Sequence, residues 1–148
     1  IRLNDDGSVK NFVMNDKCAA GTGRFLEMMA KTMEMSLDEL SKVGLSYQED
    51  ITISSMCTVF AESEVVSLIA QNKATDDIVH GLNKAVAAKT ASLVKRVGGE
   101  EAYMMTGGVA QNQGLVRTLE ERLGTKLVLS DKSQLCGALG AALFAAEM

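Results

Sequence analysis

A chain of 148 residues, 47% apolar and 23% charged, has the size and composition of one globular domain with a substantial core. Its formal net charge of −4 argues against nucleic acid as the main partner, because such sites need a basic face. No apolar run is long enough for a membrane-spanning helix, which needs about 18 residues. The opening Ile1-Arg2-Leu3-Asn4 has neither an initiator Met nor the pattern of a secretion signal, so the chain reads as a piece of a longer protein.

Residues 1–14 read as a β-hairpin, with a turn at Asn4-Asp5-Asp6-Gly7 and with Phe12 and Met14 on one face. A small-residue loop, Asn15 to Gly23, leads into a helix whose Phe25, Leu26, Met28, Met29 and Met33 have helical spacing. Ser36-Leu37-Asp38-Glu39 is a capping box opening a short second helix. Ile51-Thr52-Ile53 is β-prone, and Ser54-Ser55 offers caps for a helix holding Cys57, Phe60, Val65 and Leu68. Thr75-Asp76-Asp77 opens a longer helix through Val97, ended by Gly98-Gly99. A strand at Tyr103 to Thr106 precedes Gly107-Gly108, a helix runs from Gln113 to Leu123, a strand follows at Lys126 to Leu129, and Ser133 opens an Ala-rich final helix. Short strands alternating with helices predict an α/β fold, a mixed sheet flanked by helices.

Two glycine turns carry chemistry. Gly21-Thr22-Gly23 precedes a helix, where bare backbone and the N–H groups of a helix start suit a phosphate; a tight turn needs the same residues. It is neither a Walker A loop nor a dinucleotide-binding fingerprint. At Thr106-Gly107-Gly108 a strand runs into two glycines, and a flat adenosine can lie on them with Gln111 or Asn112 offering hydrogen bonds; a plain strand-to-helix turn is the competing reading.

The chain's three cysteines stand too far apart for a zinc ribbon or a ferredoxin run, and scattered cysteines are commonly small buried hydrophobes. Their surroundings say more. The runs Asn15-Asp16-Lys17-Cys18-Ala19-Ala20-Gly21-Thr22-Gly23-Arg24-Phe25, Cys57-Thr58-Val59-Phe60-Ala61-Glu62-Ser63-Glu64, Met105 to Asn112 and Gly137-Ala138-Leu139-Gly140 together resemble the activators of 2-hydroxyacyl-CoA dehydratases, which are grouped with the ATPase subunits of benzoyl-CoA reductases.

The resemblance implies the fold of the superfamily that holds actin, sugar kinases and the large heat-shock chaperones (a ribonuclease H-like lobe). Residues 1–148 then form the second, C-terminal nucleotide-binding lobe of a two-lobe ATPase, without the first lobe and its phosphate loop, and this segment alone is expected to be inactive. The implied activity is ATP-driven one-electron transfer to a 2-hydroxyacyl-CoA dehydratase from a ferredoxin or flavodoxin. The implied cofactors are ATP or ADP with Mg and one [4Fe–4S] cluster per homodimer, held by Cys18 and Cys57 of each protomer. Two-fold pairing is also what a chain with two suitable thiols needs in order to complete a four-thiolate set. Gly21, Thr22, Gly23, Gly107, Gly108, Gln111 and Glu64 are the expected nucleotide contacts; no catalytic residue is assigned. The alternatives are an ATPase subunit of a benzoyl-CoA-type ring reductase and a cluster-free kinase of the same superfamily.

Other residues read more plainly. Cys136 falls outside the pattern and is expected to be incidental, His80 to lie on the surface, the Met residues to fill core, and Glu62 to be structural. Lys17 and Arg24 flank the first cysteine loop and suit phosphate or cluster charge.

Overall fold

The computed structural model describes residues 1–15, 22–54 and 57–147. At its start, β1 (Arg2–Leu3) pairs antiparallel with β2 (Val9–Asn11), and the Gly7 amide closes the turn by donating to the Asn4 carbonyl at 2.9 Å. The hairpin is shorter than its alternation predicts, and Phe12 and Met14 are exposed. A two-stranded ribbon with no third strand beside it among the described residues holds only a short ladder.

Helix α1 (Gly23–Thr32) buries Phe25, Leu26, Met29 and Ala30 along one face. The capping box at Ser36 starts α2 (Leu37–Val43): the Ser36 hydroxyl accepts from the Glu39 amide at 3.2 Å, and the Ser36 amide donates to the Glu39 carboxylate at 2.7 Å. The Ser36 amide foremost, and then the Ser36 hydroxyl, which also donates to that carboxylate at 2.7 Å, hold the Glu39 carboxyl below the usual carboxylate range. The β-prone Ile51-Thr52-Ile53 forms no strand. Among the described residues it has no strand to pair with, and instead it buries Ile51 and Ile53 with the Ile51 carbonyl close against Gly81.

Two helices follow, α3 (Thr58–Ala70) and the long α4 (Thr75–Val97). The cap of α3 is Cys57, and that of α4 is Ala74. Asp77, expected to help cap α4, accepts the amides of Gln48 at 2.7 Å and Glu49 at 2.9 Å and so ties down the segment between α2 and α3. Residues 77–83 are all buried, so α4 is the central post of the molecule: Ile78, Val79, Leu82 and Val86 meet Met29 of α1, Leu40 of α2 and Val65 of α3 in one core. The expected surface position of His80 is therefore corrected. It is 6% exposed, stacked on Tyr47 with ring centres 3.5 Å apart, and its Nε2 lies 3.7 Å from Asp50.

Strand β3 (Tyr103–Met104) runs parallel to β4 (Leu127–Val128), joined by a 3-10 turn at Gly108–Gln111 and by α5 (Gln113–Leu123), the crossover that a parallel pair requires. Helix α5 packs mainly along α4. A second 3-10 turn at Ser133–Leu135 leads into α6 (Cys136–Glu147), which buries no residue. The result is a helix-rich α/β fold with two small sheet fragments. Among the described residues no helix is long and apolar enough to cross a membrane.

Candidate functional site

Three segments remote in sequence converge on one cleft of about 660 Å³. The first wall is the start of α1, with Thr22, Gly23, Arg24 and Glu27; the second is α2, with Leu37, Asp38 and Ser41. The third is the turn after β3, with Gly108, Val109, Gln111 and Asn112, joined by Gln134.

Local chemistry fixes each wall. Thr22 is the extended cap of α1, and its carbonyl accepts the Phe25 amide at 3.1 Å. Gly23 allows the approach of the two glycine turns, since a Cβ there would lie 3.3 Å from Val109 Cγ2. Gly107 takes φ 88°, ψ 175°, a conformation that side chains resist, and its amide donates to the Ser133 carbonyl at 2.8 Å. Ser133, 1% exposed, donates through its hydroxyl to the Ser130 carbonyl at 2.6 Å and stiffens the loop beneath. The Gln111 amide nitrogen donates to Gln134 Oε1 at 3.4 Å, bridging the two 3-10 turns, and Asn112 caps α5 by accepting the Leu115 amide at 2.8 Å.

The charges are balanced. Arg24 pairs with Glu27 at 2.6 Å, and Lys42 reaches back to Asp38 at 2.7 Å. The cleft therefore offers bare backbone at its glycine turns, the helix start of α1, one guanidinium, and carboxamides from Gln111 and Gln134. That set suits a polar, planar ligand with an anionic end.

Of the sequence-predicted contacts, Thr22, Gly23, Gly108 and Gln111 line the cleft together, and Gly107 shapes the turn from just outside it. Gly21 lies outside the described residues. Glu64 stands elsewhere: its carboxylate accepts the Ser54 amide and hydroxyl, each at 3.1 Å, anchoring the segment ahead of Cys57. Sequence reasoning missed the α2 wall, Glu27 and Gln134. The capping box announced α2, but nothing in its sequence says which neighbour its exposed face looks toward.

Of the two expected metal ligands, the described Cys57 is not among the residues that line the cleft. Cys18 lies outside the described residues. Cys57 is exposed at the N-terminal cap of α3, with Val59 and Phe60 exposed on the next turn. Cys136 is half-buried at the start of α6, its thiol 3.7 Å from the Lys132 carbonyl. Among the described residues no group of three or more His, Cys, Asp or Glu could hold a metal ion within one chain.

Comparison with known proteins gives a consistent picture. A family model described as the BadF/BadG/BcrA/BcrD ATPase family matches residues 1–145. The structure of an activator of the 2-hydroxyisocaproyl-CoA dehydratase from Clostridium difficile with bound ADPNP superimposes with a TM-score of 0.94 at 49% identity, covering 99% of this chain and 55% of that one. The activator of lactoyl-CoA dehydratase from Anaerotignum propionicum is 48% identical over 99% of this chain and 57% of its own length. A benzoyl-CoA reductase subunit from Thauera aromatica is 31% identical over 99% of this chain and 54% of its own. The chain spans about half the length of the curated relatives it matches.

Proposed function

The chain belongs to the BadF/BadG/BcrA/BcrD ATPase family, with its actin-like ATPase fold, and from that premise we propose that its cleft is the adenosine-bearing half of an ATP site in an electron-transferring activator of a 2-hydroxyacyl-CoA dehydratase. The observation that carries this reading is the convergence of Thr22-Gly23 and Gly108-Gln111 on one cleft. The cleft's volume also lies in the range common for small-molecule sites. Gly107-Gly108 lie under the adenosine, and Thr22-Gly23, with Gly21, lie toward the phosphates and their Mg. The first lobe, which this chain does not supply, faces the cleft from the other side, so residues 1–148 act as the second lobe.

The outward thiol of Cys57, together with Cys18, serves as a ligand to a [4Fe–4S] cluster shared with a second copy in a homodimer. When bound, that cluster supplies one-electron chemistry at low potential. The described residues link the two sites mechanically. In sequence, Cys18 stands shortly before Thr22-Gly23, a wall of the cleft. Helix α1, which begins there, is tied to α3 by Thr32 donating to Glu62 at 3.1 Å, and α3 begins at Cys57. A nucleotide that favours one position of α1 therefore biases the start of α3, where Cys57 sits, which is a two-state hinge. Electrons arrive from a ferredoxin or flavodoxin, in an anaerobic cytoplasm, and pass to the dehydratase. Service to a benzoyl-CoA-type reductase is the second reading, favoured by the Thauera relative, whose identity is lower.

Anaerobic purification tests the proposal. A brown dimer with about four irons per two chains, binding ATP in calorimetry and activating a 2-hydroxyacyl-CoA dehydratase, is the expected result. Cys18→Ala and Cys57→Ala bleach it, and Cys136→Ala keeps its colour. A colourless protein that phosphorylates a small molecule instead would mark a cluster-free kinase and end the electron-transfer reading.

A further inference from the structure

Directly behind the cleft lies a polar group that the fold does not use. Asn83, in the middle of α4, is 0% exposed, and neither its Oδ1 nor its Nδ2 has a hydrogen-bond partner among the described residues. A carboxamide taken out of water without a partner is costly, and the neighbouring inward positions on α4 are Val79, Leu82 and Val86. An apolar side chain is the physical default there.

The surroundings keep space for the amide. A Cβ on Gly44, the cap ending α2, would lie 3.1 Å from Asn83 Nδ2, and one on Gly114 of α5 would lie 2.6 Å from it. The same point above Gly114 is 3.1 Å from the Ser41 carbonyl oxygen and 3.6 Å from Asn112 Oδ1. One donor and two acceptors thus converge on a single spot. The Ser41 carbonyl belongs to the last turn of α2, where carbonyls have no intrahelical partner. Asn112 Oδ1 spends one lone pair on the Leu115 amide and keeps a second. Both Ser41 and Asn112 line the cleft, and Asn83 does not.

We propose that Asn83 is a positioning residue for the cleft, its amide held ready to bond Ser41 and Asn112 from behind when a ligand draws α2 toward the α5 cap. The proposal rests on the nucleotide reading of the cleft. Asn83 touches no ligand; it makes the occupied arrangement of two walls the one in which a buried donor is satisfied.

The test compares wild type with Asn83→Leu, close in size and apolar, in the protein that carries this chain. If Asn83 only fills the core, Leu leaves ATP affinity unchanged, because removing an unsatisfied amide does no harm. The proposal expects an unfolding midpoint in urea equal to or above that of wild type without nucleotide, but ATP binding about tenfold weaker by calorimetry, which is about 1.4 kcal/mol. It also expects the Asn83 side-chain amide protons to move downfield in NMR when ATP is added to wild type. Should the Leu variant fail to fold, Asn83→Ala, which is smaller and clash-free, carries the same comparison of affinities. Unchanged affinity in the variant overturns the positioning role alone, whereas wild type that binds neither ATP nor ADP overturns that role and the nucleotide reading together.

Discussion

Helices α4 and α6 invert what their compositions suggest. Helix α4 carries Asp77, His80, Asn83 and several lysines, yet buries twelve of its 23 residues. Helix α6 is apolar except for Glu147, yet buries none, and Leu139, Leu143 and Phe144 are all more than half exposed. Position decides burial, not composition. Helix α4 is surrounded by α2, α3 and α5, whereas α6 finds no cover among the described residues. A helix apolar on all sides is ordinarily an inside helix, so α6 has the character of an element completed by something beyond residues 1–147.

The contrast can be broken by mutation. Leu82→Ala, at 0% exposure, is expected to cost about 3 kcal/mol in chemical denaturation, whereas Leu143→Ala changes stability by less than about 0.5 kcal/mol. Similar losses at the two sites would show that α6 is covered in solution. Next in size, Asn112→Ala removes the α5 cap and is expected to cost about 1 kcal/mol while weakening ATP binding, measured by urea midpoint and calorimetry. Loss of stability with full ATP affinity would detach the cap from the cleft.

The smallest effects are those of pH, and they sharpen the picture of α4. The amides of Glu49 and Gln48 hold the Asp77 carboxyl below its ordinary 3.8, so its stabilising effect is present above that pH and is lost as pH falls through the lowered value. Asp77→Asn is expected to flatten the acid limb of a stability-against-pH curve. Burial lowers the pKa of His80 from its ordinary 6.5, with the Asp50 charge opposing. Protonation is then easier in the unfolded chain, and stability is expected to decline as pH drops below that value. A His80→Phe variant that declines equally would assign the slope to other groups.

Much of this architecture was legible residue by residue. Helix α5 runs from Gln113 to Leu123 and stops at Gly124 in the left-handed conformation, as its spacing and glycine predict, and the Ser36 capping box forms with both its bonds. These features are local: a cap, a stop and a periodicity lie within one stretch of chain. The two glycine turns were legible one at a time, but their meeting was not, because the Gly23–Val109 contact joins segments that only the fold brings together. The burial of His80 escapes the sequence for the same reason. Its charged neighbours describe one turn of helix, and its cover comes from Tyr47 in the segment between α2 and α3. Ile51 to Ile53 shows the reverse failure, a β-prone segment that found a helix before it found a strand.

The contact of Gly23 with Val109 Cγ2, where a Cβ would sit at 3.3 Å, makes the width of the cleft a matter of one methyl group. An alanine at 23 acts as a shim between the walls, and trimming Val109 lets them settle inward. Ligand preference in this scaffold can thus be tuned by the spacing of two lining residues, without adding or removing a polar group.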